Sequence, residues 1–545
     1  MLCLLPLSFF AVSTSAYIWP SPYDFLEDAY TVSAGFGDGG IVGGVDPCSL
    51  SPIGGRKPGR VAAAEWVRLA FHDASTFDIH TGLGGVDASI GFETNRGQNI
   101  GAGMNDSLVF FGAFQSKTSS MADVIALSAI LAVKNCGGPS IPFRAGRLDA
   151  EAAGPETVPE PQQDLASHIA SFQNQGFNVS EMITLVACGH TLGGVHAVDF
   201  PLTIPPSAIT SSNPDGVVHF DDSVDSFDNH IATQYVAGTS TNPLLVGANT
   251  TTNSDARIFA ADANQTMQAF AADPNYFKAQ CGLLLERMLN TVPSSVQLSD
   301  FIEPLPIKPF ELTLTLGGDS DGRLSMGGYI RVFGTSDAAK VAVPSQMPIT
   351  LSWKDMNGNA NTTYITNLAA VSQTSSSLWG SVHFFEINAA IDIRFGISSF
   401  VVDWAYGQDA NPTHSDNGGQ GFPLQSAVLF QPNGSCTKTI FGEPGNTTAL
   451  ALIRTDLGPV STAYVDYTYN INQVGSISVK QVTTRTEMRR VGGSTSPWYD
   501  TYSATFYKGP MTDEGRITFD IVAVVGGKTF SVANNPEIFT PCRGT

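Results

Sequence analysis

"RVAAAEWVRLAFHDAS", residues 60–75, has the apolar spacing of a buried helix, yet it carries two basic groups and ends in a carboxylate. Arg68 and His72 stand i, i+4 and share one face, while Leu69 and Phe71 point elsewhere. Taken alone, the pair reads as a satisfied core histidine beside a structural arginine. The neighbouring residues change that reading. Asp73 falls where a helix C-terminus is already partly negative, a placement unfavourable by up to about 1 kcal/mol unless a cation offsets it. The next loop, "LGGVDAS" (83–89), presents Asp87 and Ser89 at alternate positions near the Gly85 carbonyl, a set of hard oxygen ligands suited to calcium.

A second stretch is spelled the same way. "SEMITLVACGHTLGG" (180–194) offers Ser180 as N-cap, an apolar run that would be buried, and His190 at its end, followed by Thr191. Some thirty residues later "FDDSVDSFD" (220–228) supplies Asp221, Ser223, the Ser226 carbonyl and Asp228, again oxygen ligands at short spacing. Two Asp/Ser-rich loops, each following a helix-terminal histidine, argue for a pair of cation sites rather than two ordinary loops. His190 and His196 do not suggest zinc, because six residues advance a helix by about 600 degrees and separate the faces. His80, His168, His219, His230, His383 and His414 lack a partner pattern and read as surface or structural.

The chain has 545 residues, too many for one hydrophobic core, and its hydrophobic fraction of 42% supports more than one domain. A net charge of −21 argues against nucleic acid or an anionic membrane surface as partner. Residues 1–16, "MLCLLPLSFFAVSTSA", read as a signal peptide ending in small residues, though the usual positive start is missing; no other stretch approaches the roughly 18 apolar residues of a membrane span. Cleavage would remove Cys3 and leave six cysteines, an even number that fits an oxidising compartment. Sequons at Asn105, Asn178, Asn249, Asn264, Asn361, Asn433 and Asn446 point to the same secreted, extracellular destination.

The texture changes once, near residue 300. Before it, helical periodicity predicts helices over 60–72, 104–116, 121–135, 162–175, 180–190, 224–236 and 275–290. "EPLPIKPF" (303–310) then places three prolines where they forbid a helix, the composition of a stiff linker over 301–310. Beyond it the period becomes two: "FELTLTL", "YIRVF", "PITLSW", "AYVDYTYNI", "SATFY" and "ITFDIVAVV" are separated by turn residues. Some ten short strands over 311–545 predict an all-β C-terminal region of one or two sandwiches. The expected fold is multidomain: a mainly α-helical domain over 17–300, then the β region.

The ordered motifs of the helical half resemble the plant, fungal and bacterial haem peroxidases, most closely the secreted fungal branch, over roughly residues 45–300. "RLAFHDA" resembles the distal segment, with Phe71 where secreted members carry Phe rather than Trp. "GGVDASI" resembles the rest of the distal calcium loop, and "FETNRGQNIG" the stretch in which Glu93 and Asn99 link to the distal histidine. "MADVIALSAILAVKNCGGPSIPFRAGRLDA" and "VPEPQQDL" resemble the mid-domain helix, the arginine turn and the proline turn near the haem edge. "LVACGHTLGG" resembles the proximal helix and "TNSDARIFAAD" the segment that pairs with it.

The resemblance implies one haem b, two calcium ions and a division of labour. His190 would ligate the iron, and Asp255 would accept its Nδ1 proton and make the imidazole more electron-donating. His72 would move a proton between the peroxide oxygens, oriented by Asn99, and Arg68 would stabilise developing charge. Calcium would be held by Asp73, Gly85, Asp87 and Ser89 in one site and by Thr191, Asp221, Ser223, Ser226 and Asp228 in the other. The expected reaction reduces hydrogen peroxide and oxidises a small, phenolic-type reductant in one-electron steps. An ordinary histidine at position 72, with a pKa of about 6.5, would make the reaction with peroxide fail in acid.

The resemblance also implies a Cys48–Cys136 disulfide. Cys188 with Cys281 would join the proximal helix to the last helix, and Cys436 and Cys542 remain for each other. Lignin-oxidising relatives carry a surface Trp where this chain has Leu185. Manganese-oxidising relatives need three acids, of which only Glu65 is present beside Val61 and His196. The β region lies outside the resemblance, and contact with a wall polysaccharide is one role open to it. An alternative to the enzyme is a calcium-stabilised surface or adhesion protein on the same scaffold, but such a scaffold would not need Arg68, His72, Asn99, His190 and Asp255 together.

Overall fold

Helices fill the first half of the chain and strands the second, with the change falling between Leu289 and Ile307. The structure is a computed structural model that describes residues 17–50, 59–317, 322–335, 347–366, 368–405, 411–440, 443–507, 518–536 and 540–542. The leader sequence lies outside the described residues.

The helices are α1 Asp24–Thr31, α2 Ala62–Ala74, α3 Ala102–Gly112, α4 Met121–Asn135, α5 Leu165–Asn174, α6 Val179–Gly189, α7 His230–Ala237, α8 Pro243–Val246, α9 Ser254–Phe259, α10 Gln265–Ala272 and α11 Pro274–Leu289. α4 is apolar nearly all round and is buried from Met121 to Val133, which makes it the central post against which α2 packs. Ser120 caps it by accepting the Asp123 N–H. α7 starts at His230, later than the periodicity of 224–236 suggests. Asp221, Ser223 and Asp228 bond to one another and to loop N–H groups, which competes with a helical backbone over those residues. α6 is capped by Asn178, not Ser180: Asn178 accepts the Glu181 N–H while Glu181 accepts the Asn178 N–H, a reciprocal capping box. Cys188–Cys281 ties α6 to α11, Cys48–Cys136 fixes the segment ahead of α2 to the end of α4, and Cys436–Cys542 closes the β region.

The β half is two stacked sandwiches. In the first, strands Ile307–Leu316, Arg323–Thr335, Gly380–Asp392 and Ala369–Ala370 form one antiparallel sheet, and Thr413–Ser415, Ser399–Trp404, Ile349–Lys354 and Ala360–Thr366 the other. Their inner faces meet in a core that includes Leu324, Met326, Ile330, Leu351, Trp353 and Phe400. The second sandwich packs Val428–Ile440, Glu443–Arg454, Tyr499–Tyr507 and Arg489–Ser496 against Val479–Glu487, Val460–Asn472, Thr518–Val525 and Lys528–Pro536. Ala451, Ile453, Val465, Tyr467, Phe506 and Ile521 are among the residues buried between them.

The proline-rich stretch expected to be a linker is strand from Ile307 onward, with Ile307 opposite Val332 and Pro309 opposite Ile330. Proline forbids helix but is tolerated in an edge strand, and this strand lies at its sheet's edge. The two halves are joined further by α1. Its Leu26 and Ala29 enter the helical core, while fully buried Glu27 accepts from Lys308 Nζ at 2.7 Å and from Arg331 Nη1 at 2.8 Å. Arg331 also pairs with Asp28 at 2.7 Å, and Trp379 Nε1 donates to the Tyr30 carbonyl at 2.6 Å. The second sandwich reaches the helical half through the Ile477 N–H, which donates to the Gly91 carbonyl at 2.9 Å.

Candidate functional site

α2 brings Arg68 and His72 to one face, and the loop before α3 supplies their partners. His72 Nδ1 lies 2.7 Å from Asn99 Oδ1, and Asn99 Nδ2 donates to the Glu93 carbonyl at 3.1 Å. Since the amide nitrogen is already committed to a carbonyl, the oxygen must face the ring, so His72 Nδ1 donates. In the neutral ring the lone pair is then on Nε2. Glu93 thus acts through its backbone: its carboxylate accepts the Gly154 N–H at 2.7 Å and pairs with Arg96 at 3.1 Å. Burial, with the Arg68 charge adding to it, pulls the His72 pKa down to about 3. The ring therefore stays neutral in acid that would charge an ordinary histidine.

Arg68 donates from Nη2 to the Ile100 carbonyl at 2.9 Å and lies over the Phe200 ring at 5.4 Å. Burial lowers its pKa to about 10, against the pull of Glu65 and Asp199, which leaves it charged at any working pH. Behind it Arg60 bonds Glu65 at 3.0 Å, Asp199 at 2.9 Å, and Asp215. Burial raises Glu65 to about 7 despite Arg60. His196 belongs to the same network, with Nδ1 3.3 Å from Asp199. Phe71 stacks toward Phe172 with centroids 5.9 Å apart.

On the opposite helix, His190 stands at the C-cap of α6, which packs close to α2. Its Nδ1 is 2.9 Å from Asp255 Oδ2, on α9, and Asp255 is fully buried. Asn242 Nδ2 donates to the same oxygen at 2.7 Å. The His190 ring lies flat on Phe220, centroids 4.2 Å apart and planes inclined by 12°. Sequence reasoning misses Asn242 and Phe220. The dipeptide Asn242–Pro243 carries the signal of a helix start, N-cap followed by proline at N1, but nothing in it specifies Asp255 as a target.

The oxygen-rich loops assemble as well. Asp73 is fully buried and accepts the Ala88 and Ile90 N–H groups at 2.8 and 3.1 Å. Thr76 Oγ1 donates to the Asp73 carbonyl at 2.7 Å and lies 3.4 Å from the Gly85 carbonyl, so both carbonyls converge. Burial raises Asp73, with Asp87 adding to it, and burial raises Asp87 too. Ser89 Oγ is buried there without a partner. In the second loop Thr191 Oγ1 donates to the Asp228 carbonyl at 2.6 Å, and Ser223 Oγ reaches Asp221 at 3.1 Å and Asp228 at 2.9 Å. Asp221 Oδ2 is buried and unpartnered, and burial lifts this carboxyl to about 6. Ser226 enters this loop through its N–H, which donates to the Ser223 carbonyl at 2.7 Å. The orphaned hydroxyl of one loop and carboxylate oxygen of the other fit a hard cation that takes oxygen ligands.

A haem also fits these residues. His190 has Nδ1 committed to Asp255, its ring is clamped on Phe220, and its side chain remains 28% exposed, so Nε2 can serve as an iron ligand. His72 and Arg68 stand on the neighbouring helix α2.

A family model described as Peroxidase matches residues 56–273. The chain is 40% identical over 388 residues to a "WSC domain-containing protein" of Arthroderma benhamiae, a match that covers 70% of this chain and 52% of that protein. That span is too long to be contained in the helical half. It is 34% identical over 139 residues to "L-ascorbate peroxidase 5, peroxisomal" of Arabidopsis thaliana, covering 25% of this chain and 50% of the relative. With "Cytochrome c peroxidase, mitochondrial" of Neurospora crassa it shares 33% identity over 156 residues, 27% of this chain and 42% of the relative. The chain thus spans about half the length, or less, of these curated relatives.

Proposed function

Because the helical half of this chain, matched over residues 56–273, belongs to the haem peroxidase superfamily, we propose that the protein is a secreted, calcium-stabilised haem peroxidase that reduces hydrogen peroxide and oxidises small phenolic-type reductants. The observation that carries this reading is the matched pair of histidines on adjacent helices. Each has its Nδ1 fixed by a buried side chain, Asn99 for His72 and Asp255 for His190. A structural histidine needs no such pairing twice over.

A haem held through its iron by His190 Nε2 would supply the redox chemistry. The protein's own groups would do the rest. His72 Nε2 takes the proton from one peroxide oxygen and returns it to the other, while Asn99 keeps the lone pair pointed at the substrate. Arg68, charged throughout, stabilises the negative charge that builds as the O–O bond lengthens. Asp255 accepts the hydrogen bond from His190 Nδ1 and so orients the ring with Nε2 free to bind, and the second donor from Asn242 fixes the carboxylate that does so. Asp73, Asp87 and Ser89 with the Gly85 carbonyl would hold one calcium ion, and Thr191, Asp221, Ser223, Ser226 and Asp228 the other. Through Asp73, which directly follows His72, the first ion would anchor the catalytic end of α2.

Protein produced with haem and calcium should show a Soret band that shifts on peroxide addition and returns when a phenol is supplied. His190→Ala should lose the band. A colourless wild-type protein refutes the proposal.

A further inference from the structure

A cleft of about 400 Å³ lies where the second sandwich meets the helical half, between the 115–120 and 146–151 segments on one side and Gln473 with 479–481 on the other. We propose that this cleft binds a neutral saccharide, which would give the β half a carbohydrate-recognition role independent of peroxide turnover.

The first observation is that most of the charges around the cleft already pair with one another. Lys117 pairs with Asp520, and Lys480 with Glu151 at 2.6 Å. Asp149 accepts from the Met121 and Ala122 N–H groups at 3.0 and 2.9 Å and from Gln115 Nε2 at 2.9 Å. Asp123 pairs with Arg147 at 2.9 Å. Asp149 has only those neutral donors and, among the described residues, no cation beside it, so the lining offers no positive charge free to select an anion.

The second observation is what remains unsatisfied. Gln115 is only 2% exposed, and its Nε2 spans the two halves by donating both to Asp149 and to the Val479 carbonyl at 3.2 Å. Those two hydrogen bonds fix the amide plane and leave Oε1 buried without a partner; across the boundary, Gln481 Nε2 is also buried and unpartnered. Both atoms are closed off from solvent, so a ligand would reach this acceptor and this donor, one from each half, by shifting the two side chains, and groups that both donate and accept, as sugar hydroxyls do, would satisfy them. Ser116, Thr118, Ser119, Ser120 and Tyr23 complete the polar part of the wall. With few large apolar side chains, it lacks the anchors that a peptide or a phenol would use. The volume lies near the lower end of the roughly 300–1,000 Å³ usual for small-molecule sites, which leaves room for about one or two sugar rings.

The test is calorimetric titration of the full-length protein with laminaritriose, chitotriose and mannotriose, each to about 10 mM. At least one should bind with a millimolar or tighter Kd, and Gln481→Leu should weaken it by about tenfold or more. Turnover of a small phenol and the thermal midpoint should stay at wild-type values in Gln481→Leu. Gln115→Leu should weaken the same saccharide if it folds, and Gln481→Leu decides the matter if it does not. Three results overturn the proposal: none of the three sugars binds, binding survives Gln481→Leu unchanged, or guaiacol displaces the sugar competitively. Since none of these three overturning results requires haem, failure here is distinct from failure of the peroxidase reading.

Discussion

The two halves of this molecule place polar groups in opposite ways. In the helical half, chemistry-bearing side chains are drawn inside: His72, Asn99, Asp73 and Asp255 are all buried and held by specific donors or acceptors. In the β half most comparable groups pair at the surface, as in Arg485–Asp466, Arg490–Asp500 and His414–Asp403, buried Arg454 being an exception, and the space between sheets is given mainly to apolar residues. Burying an ionisable group costs several kcal/mol unless it is partnered, so a chain does it where the group has work to do. The seam is where the two habits mix. Glu27, Lys308 and Arg331 are buried there as an ion-paired cluster, and Gln115 and Gln481 are left partly unsatisfied.

That contrast can be broken most severely at position 72. His72→Leu should slow the reaction with peroxide by about 10²–10⁴-fold while haem remains bound, whereas His414→Leu should leave the rate unchanged. Stopped-flow measurement of both variants decides it, and a near-normal rate for His72→Leu removes this residue from its role. Next in size is the seam. Arg331→Met leaves the Glu27 carboxylate buried opposite Lys308 alone and should cost about 3–5 kcal/mol in denaturant unfolding. The same change at exposed Arg485 should cost less than about 1 kcal/mol. Equal losses would erase the distinction between buried and surface pairs.

Removing calcium should act on the helical half alone. With free calcium at about 100 times the Kd, each of the two proposed sites would contribute about 2.7 kcal/mol, so a chelator should lower the melting of the helical half and leave the β half unchanged. The smallest effect concerns acid. Burial alone would raise Glu27, but Arg331 and Lys308 outweigh it and hold its pKa down to about 2. A depressed carboxylate stabilises above its unfolded pKa of 4.5, and that contribution fades only as pH falls toward 2. Asp24 is shifted the other way, raised to about 6 chiefly by burial, so its cost at neutral pH is relieved as pH drops below that value. The stability difference between wild type and Arg331→Met should therefore be fullest near pH 7 and shrink in acid, as the variant's Glu27 takes up a proton while the wild-type carboxylate stays ionised to about pH 2. A difference that stays constant or grows from about pH 7 down to about 4 would show that the Glu27–Arg331 pair is not what stabilises the seam.

Much of this is legible in the amino-acid sequence. The i, i+4 spacing of Arg68 and His72 and the change of period near residue 300 each rest on local geometry that a sequence must spell out, and the fold class follows from them. Local signals mislead where another local interaction competes. Asn178 displaces Ser180 as the cap because Glu181 stands at the third helical position and completes the box. The prolines of 303–310 exclude a helix and suggest a linker, yet an edge strand accepts them equally well.

The sequence by itself determined which residues could do chemistry, because residue type and spacing along a helix or loop are properties of the chain alone. Only the tertiary structure decided which of them meet. Phe220 closes on His190 and Asn242 on its partner Asp255, Glu93 serves Asn99 through its carbonyl, and residues more than 300 positions apart, such as Gln115 and Val479, face each other across the seam. The physical reason is range: secondary structure is set by neighbours within a few residues, whereas these contacts are fixed by how whole elements pack, which no local pattern encodes.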